Sequence, residues 1–285
     1  EIMIRLGERQ DLSIAKIVSF GVYLEDIRQP EEERERVLLP AKEVSEDAQV
    51  GDSLNVFIYR DSKDRLIATT RQTEFSVGET AVLEVSQVGK IGAFLKWSLE
   101  KDLLLPFKEQ TASVKPGDFC LVALYIDKSG RLCTTMKVYP YLRLDSPYGK
   151  DDRVEGIVYE VSQRFGTFVA VDDRYSALIP AAEPAEYRPG DRVSARVVKV
   201  LEDGKLTLSL KDKAYLQIEK DAVRVMEMID QAGGRLPFSD KAAAEVIREK
   251  TGMSRNEFKR AVGSLYKQRL IVIEPDGIRK VSHEQ

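Results

Sequence analysis

The stretch VSQRFGTFVAV, residues 161–171, is nearly repeated upstream as VSQVGKIGAFL (85–95) and, in shorter form, as IVSFGVYLE (17–25). In each copy an aromatic stands two residues past a glycine: Tyr23 after Gly21, Phe94 after Gly92, Phe168 after Gly166. The same landmarks follow in the same order. An apolar run ends in Pro40, Pro106 or Pro180; a Gly-Asp pair follows at Gly51-Asp52, Gly117-Asp118 and Gly190-Asp191. Each copy closes on a strand ending in small hydroxyls: DRLIATT, GRLCTTMK and GKLTLSLK. Pro40 to Gly51 and Pro106 to Gly117 are both 11 residues, and Pro180 to Gly190 is 10. The repeat exceeds the roughly 20–50 residues of stacked solenoids, so each copy is long enough to be a small domain.

Within a copy the signals are those of strands. VSARVVKV (193–200) alternates, with Val193, Ala195, Val197 and Lys199 on one face. EDGK (202–205) and DKSG (127–130) carry hairpin-turn chemistry. Five short strands in each copy predict a small antiparallel barrel, closed so that few edges remain. The first copy has an insertion, RQPEEERERV (28–37), which reads as a solvated charged loop.

The pattern breaks after residue 213. Tyr215, Ile218, Ala222, Val225, Met226 and Ile229 share one helical face, which Gly233-Gly234 bring to an end. Ser239-Asp240 predict the N-cap of a second helix running to about Lys250. Ser254 to Glu257 is a capping-box pattern opening a third, which would bury Phe258, Ala261, Val262 and Leu265. LIVIEPDGIRKV then reads as a hairpin around Pro275-Asp276-Gly277.

Composition excludes several functions. The only histidine, His283, is two residues from the end, which removes Ser–His, Cys–His and His-based zinc chemistry. Cys120 and Cys133 lie outside any CxxC spacing and read as small apolar side chains in strands. Asp151-Asp152 and Asp172-Asp173 fall in turns and read as solubility. No metal-binding carboxylate cluster or phosphate loop is recognisable, so the expectation is a non-enzyme with no cofactor, no metal and no catalytic residue. No apolar run nears the ~18 residues that span a bilayer. The opening EIMIRLGERQ has neither a signal-peptide core nor a basic leader, so we expect a cytoplasmic protein without a membrane partner. The net charge of −3 divides as −5 over residues 1–74, +1 over 75–145, −1 over 146–213 and +2 over 214–285. Phosphate binding is therefore least expected in the first copy.

The order strand, FGxF, strand, apolar turn, GDxVxxxVxxV, GKLxLSLK resembles the S1-type RNA-binding domain, a five-stranded OB-fold barrel. The third copy matches this pattern best, the second well and the first loosely. The C-terminal helices and hairpin are similar to a winged helix-turn-helix. Three S1-type barrels before a winged helix resemble the bacterial conserved virulence factor B family, RNA-binding regulators of Gram-positive bacteria. The expected fold is multidomain and mainly β: three tandem OB-fold barrels over 1–72 (divergent and acidic), 73–140 and 148–212, then an α+β winged helix over 214–285. The Tyr- and Pro-rich connection VYPYLRLDSPYGK (138–150) reads as packed.

OB-type barrels stack bases on exposed aromatics, with cations nearby for phosphate. Phe165 and Phe168 are the candidates in copy three; a spacing of three puts them on opposite faces of a regular strand, and a bulge at Gly166 would reunite them. On periodicity alone either ring is favoured as core, since large apolar side chains are usually buried. The resemblance shifts both towards exposure. It also implies Ile91 and Phe94 in copy two and Phe20 and Tyr23 in copy one. The family's histidine position is occupied here by Pro40, Pro106 and Pro180. Its acid and base near the last hairpin fall on Asp61 and Arg65, Asp127 and Arg131, and Asp203 and Lys205. Further candidate cations are Arg164, Arg174, Arg196 and Lys199 in copy three and Lys90 and Lys96 in copy two, where Trp97 either joins them or caps the barrel. In the winged helix the candidates are Arg255, Lys259, Arg260, Lys267 and Arg269 on the third helix and Arg279 and Lys280 on the wing, to be weighed against plain solvation of an outer face.

The leading reading is a post-transcriptional regulator that grips single-stranded RNA, such as mRNA, through copies two and three and the winged helix. A second makes it a winged-helix DNA-binding transcription regulator with barrels as interaction modules. A third makes it an adaptor for ribosome or RNA-processing proteins.

Overall fold

The computed structural model describes residues 4–183, 186–211 and 214–281, the side chains of 214–218 excepted. The side chains of Tyr215 and Ile218, and all of His283, lie outside the described residues. Two compact units divide the chain, one up to Leu210 and one from Lys211.

The first unit holds three closed five-stranded barrels. Barrel one is β1 (Arg9–Val18), β2 (Gly21–Glu25), β3 (Arg36–Pro40), β4 (Ser53–Arg60) and β5 (Leu66–Thr69). Barrel two is β6 (Thr80–Val88), β7 (Gly92–Leu95), β8 (Leu103–Pro106), β9 (Phe119–Ile126) and β10 (Leu132–Thr135). Barrel three is β11 (Arg153–Ser162), β12 (Gly166–Val171), β13 (Tyr175–Pro180), β14 (Arg192–Val200) and β15 (Leu206–Ser209). The barrels are not wholly antiparallel: in each, the third strand meets the fifth in parallel, and this pairing closes the sheet. Alternation fills each barrel from within. In barrel three Val193, Ala195 and Val197 point into a core shared with Val158, Val169, Ile179 and Leu208, while Lys199 is exposed. Each such Val, Ile or Leu contributes about 1.5–3 kcal/mol by leaving water.

The repeated glycine has a different role from the one its spacing suggested. The bulge lies in the first strand of each barrel, where the register skips Ala15, Ser86 and Tyr159. Gly166, at φ +119°, is where β12 crosses closest to β13; a Cβ there would stand 2.0 Å from the Ile179 carbonyl oxygen. Gly21 and Gly92 meet Leu39 and Leu105 in the same way, at 2.1 and 2.2 Å.

The barrels pack on one another. Phe57 and Tyr59 of β4 join the core of barrel two, and Trp97 sets its ring edge to face against Phe57 and Phe75 at 6.0 and 6.5 Å. Trp97 is thus a junction residue. Between barrels two and three, Val138 and Leu142 of the connection are buried with Leu121, Ala123, Ile157, Tyr159 and Ala170, so this segment is packed. The charged insertion of barrel one is largely exposed, as expected, but it is anchored: Arg34 and Arg36 both pair with the buried Glu25. The aspartate pairs do more than solubilise. Asp151 pairs with Arg196 and Asp173 with Arg192, while Asp172 accepts from the Tyr148 hydroxyl at 2.6 Å. Cys120 and Cys133 are buried free thiols, pushed up to about 11, chiefly by burial.

The second unit holds α1 (Ala214–Gln231), β16 (Arg235–Leu236), α2 (Ala244–Thr251), α3 (Arg255–Lys267), β17 (Ile271–Glu274) and β18 (Gly277–Lys280), its sheet ordered β16-β18-β17. Ala222, Val225 and Ile229 of α1 meet Phe258, Ala261, Val262 and Leu265 of α3 in one core. The capping box forms: Ser254 Oγ accepts from the Glu257 amide and Glu257 Oε2 from the Ser254 amide. The cap expected at Ser239-Asp240 does not. Helix α2 starts at Ala244 behind Ala243, and Ser239 Oγ instead accepts from the Lys241 amide in a tight turn.

Candidate nucleic-acid interface

Phe165 lies in the turn ahead of β12 and Phe168 within it, so the two need not obey strand alternation. Their rings meet at 6.4 Å, steeply inclined. Phe165 is 52% exposed and Phe168 half-buried. The Arg164 guanidinium stands 5.1 Å from the Phe165 ring centre, a cation–π arrangement. Beneath Phe168 lies Tyr159, the residue that the bulge in β11 pushes out of the barrel, at 6.0 Å. Burial, with Glu160 nearby, raises the Tyr159 phenol above its ordinary range.

Sequence reasoning missed a fourth ring. Tyr139 comes from the connection after barrel two, makes an edge contact with Phe168 at 6.2 Å and is 48% exposed. The Lys205 ammonium is 5.7 Å from the Tyr139 ring centre and 2.8 Å from Asp203. These partners, Asp203 foremost, raise the lysine's pKa and keep it charged. The available signal was the tyrosine content of residues 138–150, read only as packing.

The other candidates of barrel three are scattered. Arg196 is paired with Asp151, its side chain only 15% exposed, and belongs to the packing. Arg174 follows the far end of β12, about 20 Å of strand from Phe165. There it lines a groove with Glu79, Tyr141 and Arg143. Lys199 is exposed where β14 approaches its hairpin.

In barrel two, Ile91 is 62% exposed in the place of Phe165, and Phe94 is half-buried. Its face is partly covered by barrel one. Arg60 donates to the Gly130 carbonyl at 3.1 Å, and Arg131 lies 3.7 Å from Asp64. Between them runs a groove of about 210 Å³ lined by Tyr59, Arg60, Ile91, Phe94, Trp97 and Arg131 among others. Lys96 is tied to Glu84 at 2.8 Å, and Lys90 is exposed in the β6–β7 turn. In barrel one Phe20 and Tyr23 meet edge to face at 6.3 Å, and Arg65 is clasped by Asp61.

On α3, Arg255, Lys259, Arg260 and Lys267 are exposed, and among the described residues none makes an ion pair. Helical spacing puts Arg260 and Lys267 on the side opposite Phe258 and Val262, while Arg255 and Lys259, with exposed Tyr266, flank the buried stripe. Arg269 falls just past the helix, in a left-handed conformation at φ +58°. The wing cations are committed: Arg279 pairs with Glu274 and Lys280 with Asp230. Among the described residues no group of three or more His, Cys, Asp or Glu is placed to hold a metal, and no helix is long and apolar enough to cross a membrane.

Comparison with known proteins agrees with this architecture and reverses one expectation. The S1 domain model matches residues 6–71 and 77–137, the first two copies rather than the third. The third, residues 143–212, matches the second domain of the virulence regulatory factor CvfB, and 223–279 match the CvfB-like winged helix domain. The chain is 32% identical over 274 residues to YitL of Bacillus subtilis (strain 168), covering 92% of this chain and 89% of that one. It is 29% identical over 252 residues to conserved virulence factor B of Staphylococcus aureus (strain USA300), covering 84% of each. A crystal structure from Streptococcus pneumoniae TIGR4, of a multidomain protein with nucleic acid binding domains, spans 97% of this chain and 98% of its own, at 24% identity and a TM-score of 0.48. S1 and winged-helix domains support nucleic-acid binding as the coarse function. Matched in one order from residue 6 to residue 279, and related over most of its length to YitL, the chain belongs to the conserved virulence factor B (CvfB) family.

Proposed function

We propose that this protein binds single-stranded RNA without catalysing a reaction on it, and that barrel three is its principal grip. The observation that carries this reading is the exposed Phe165 ring against Phe168 with Arg164 above it, an aromatic and a cation where a base and its phosphate would sit. Each stacked base contributes about 1–3 kcal/mol and any base has a face to stack, so sequence preference is weak. Barrel two contributes less, and the acidic barrel one acts as a cover and spacer. In the cytoplasm such binding serves post-transcriptional regulation, a role supported by the family and by the relatives named as virulence factors.

A second reading, duplex DNA binding, is favoured by four exposed cations of α3, none ion-paired among the described residues, on the helix that winged-helix proteins lay in the major groove. Fluorescence anisotropy separates the two. A labelled oligo(U) of roughly 20 nucleotides and a duplex DNA of equal length are titrated at two salt concentrations. The proteins are the wild type, Phe165→Ala/Phe168→Ala and Arg255→Ala/Lys259→Ala. RNA preference lost in the aromatic variant supports the first reading; duplex preference lost only in the α3 variant replaces it with the second.

A further inference from the structure

We infer that Tyr139, from the connection between barrels two and three, is a stacking residue of the barrel-three face, with Lys205 as the partner for the adjoining phosphate. This rests on the RNA-binding reading above and extends it to a residue outside the barrel. Phe168, half-buried, meets two more exposed rings: Phe165 at 6.4 Å and Tyr139 at 6.2 Å. Each flanking ring has its own cation, Arg164 at 5.1 Å from Phe165 and Lys205 at 5.7 Å from Tyr139. The second ring-and-cation pair thus repeats the first, and Phe168 touches both rings.

Packing does not account for Tyr139. The connection is fastened by Val138 and Leu142, both buried, and the tyrosine between them is left about half exposed. A ring left about half exposed, touched by Phe168 and by the Lys205 ammonium, offers an unstacked base a surface once the lysine moves aside. When a base takes the ring face, the Lys205 ammonium moves from the π-cloud to the phosphate, exchanging a weak attraction for a charge-assisted hydrogen bond. Asp203, 2.8 Å away, keeps the lysine at the rim in both states. The strand then runs over three rings, Phe165, Phe168 and Tyr139, and leaves barrel three at its junction with barrel two.

The test uses the full chain and two labelled probes, oligo(U) and a ribose-phosphate oligomer of equal length without bases. Tyr139→Ala should weaken oligo(U) binding about 5- to 150-fold, the range for one stacked base, and leave the abasic probe unchanged. Tyr139→Phe should bind oligo(U) within about twofold of wild type, since the ring suffices. If Tyr139→Ala binds oligo(U) as wild type does while Phe165→Ala is weakened, the inference is wrong and the RNA-binding reading stands. If the wild type prefers oligo(U) no more than the abasic probe, both are wrong. Photocrosslinking of wild type to 5-iodouridine RNA, read by mass spectrometry, gives a measure independent of any variant's folding. An adduct at Tyr139 supports the assignment, and adducts at Phe165 and Phe168 without one at Tyr139 overturn it.

Discussion

Barrels two and three share a strand order, a first-strand bulge and a glycine crossing, yet they present different faces. In barrel three Phe165 and Tyr139 each meet Phe168, and each has a cation of its own. In barrel two an isoleucine replaces the first ring, and the hairpin of barrel one leans over the rest through Arg60 on Gly130 and Asp64 near Arg131. A repeated sequence therefore specifies the barrel, while the neighbour decides what the barrel can do. Barrel two spends this face on holding barrel one, whereas barrel three, which packs on barrel two through Ile157, Tyr159 and Ala170, leaves Phe165 exposed beside that junction.

Four measurements bear on that contrast. The largest effect is expected from deleting both rings of each face. Phe165→Ala/Phe168→Ala should weaken oligo(U) binding by about 30-fold or more, since two stacked bases at about 1–3 kcal/mol each are lost. Ile91→Ala/Phe94→Ala should cost much less, and equal losses would abolish the distinction between the faces. Next comes Trp97→Ala, which empties the packing between barrels one and two. Urea denaturation should show a loss of about 3 kcal/mol, with Phe165-dependent binding intact under native conditions.

The third measurement uses alkali. Both cysteines lie in barrel two, and burial pushes their thiols up to about 11. A pKa raised on folding stabilises the neutral form. Their contribution is thus complete below the unfolded thiol value and lost as pH climbs through about 11. Hydrogen exchange followed from pH 8 upward should show barrel two weakening by of order 1–2 kcal/mol before barrel three, and Cys120→Val/Cys133→Val should flatten the trend. The smallest effect is a gain. Ile91→Phe restores the missing ring and should improve oligo(U) affinity by about 1 kcal/mol, roughly fivefold. A gain that appears only once Asp64→Ala is added would mean that the cover from barrel one rather than the isoleucine silences the face.

The barrels and the winged helix were legible because their signals are local and repeated. Alternation, turn residues and the capping box at Ser254 each act within a few residues of themselves. Much of what escaped the sequence arises between residues far apart in the chain, where no period exists. Tyr139 lies outside the repeat and reaches Phe168 only because Val138 and Leu142 fold the connection against barrel three. Trp97 meets Phe57 across a junction, and Arg196 meets Asp151 across 45 residues. The glycine of the repeated phrase was read as making a bulge because its effect on the next strand, 2.0 Å from Ile179, has no trace in the spacing. Ser239 reads as a cap because the tight turn it forms uses the same chemistry, five residues before the helix begins.

The buried connection has one more consequence. With Val138 and Leu142 enclosed, barrels two and three are joined by a fixed spacer rather than a tether. On the RNA-binding reading the protein then acts as a ruler. A strand too short to leave the three rings gains nothing from barrel two, and one just long enough gains its whole contribution at once. Affinity plotted against oligonucleotide length should rise in a step, where a flexible linker would give a slope.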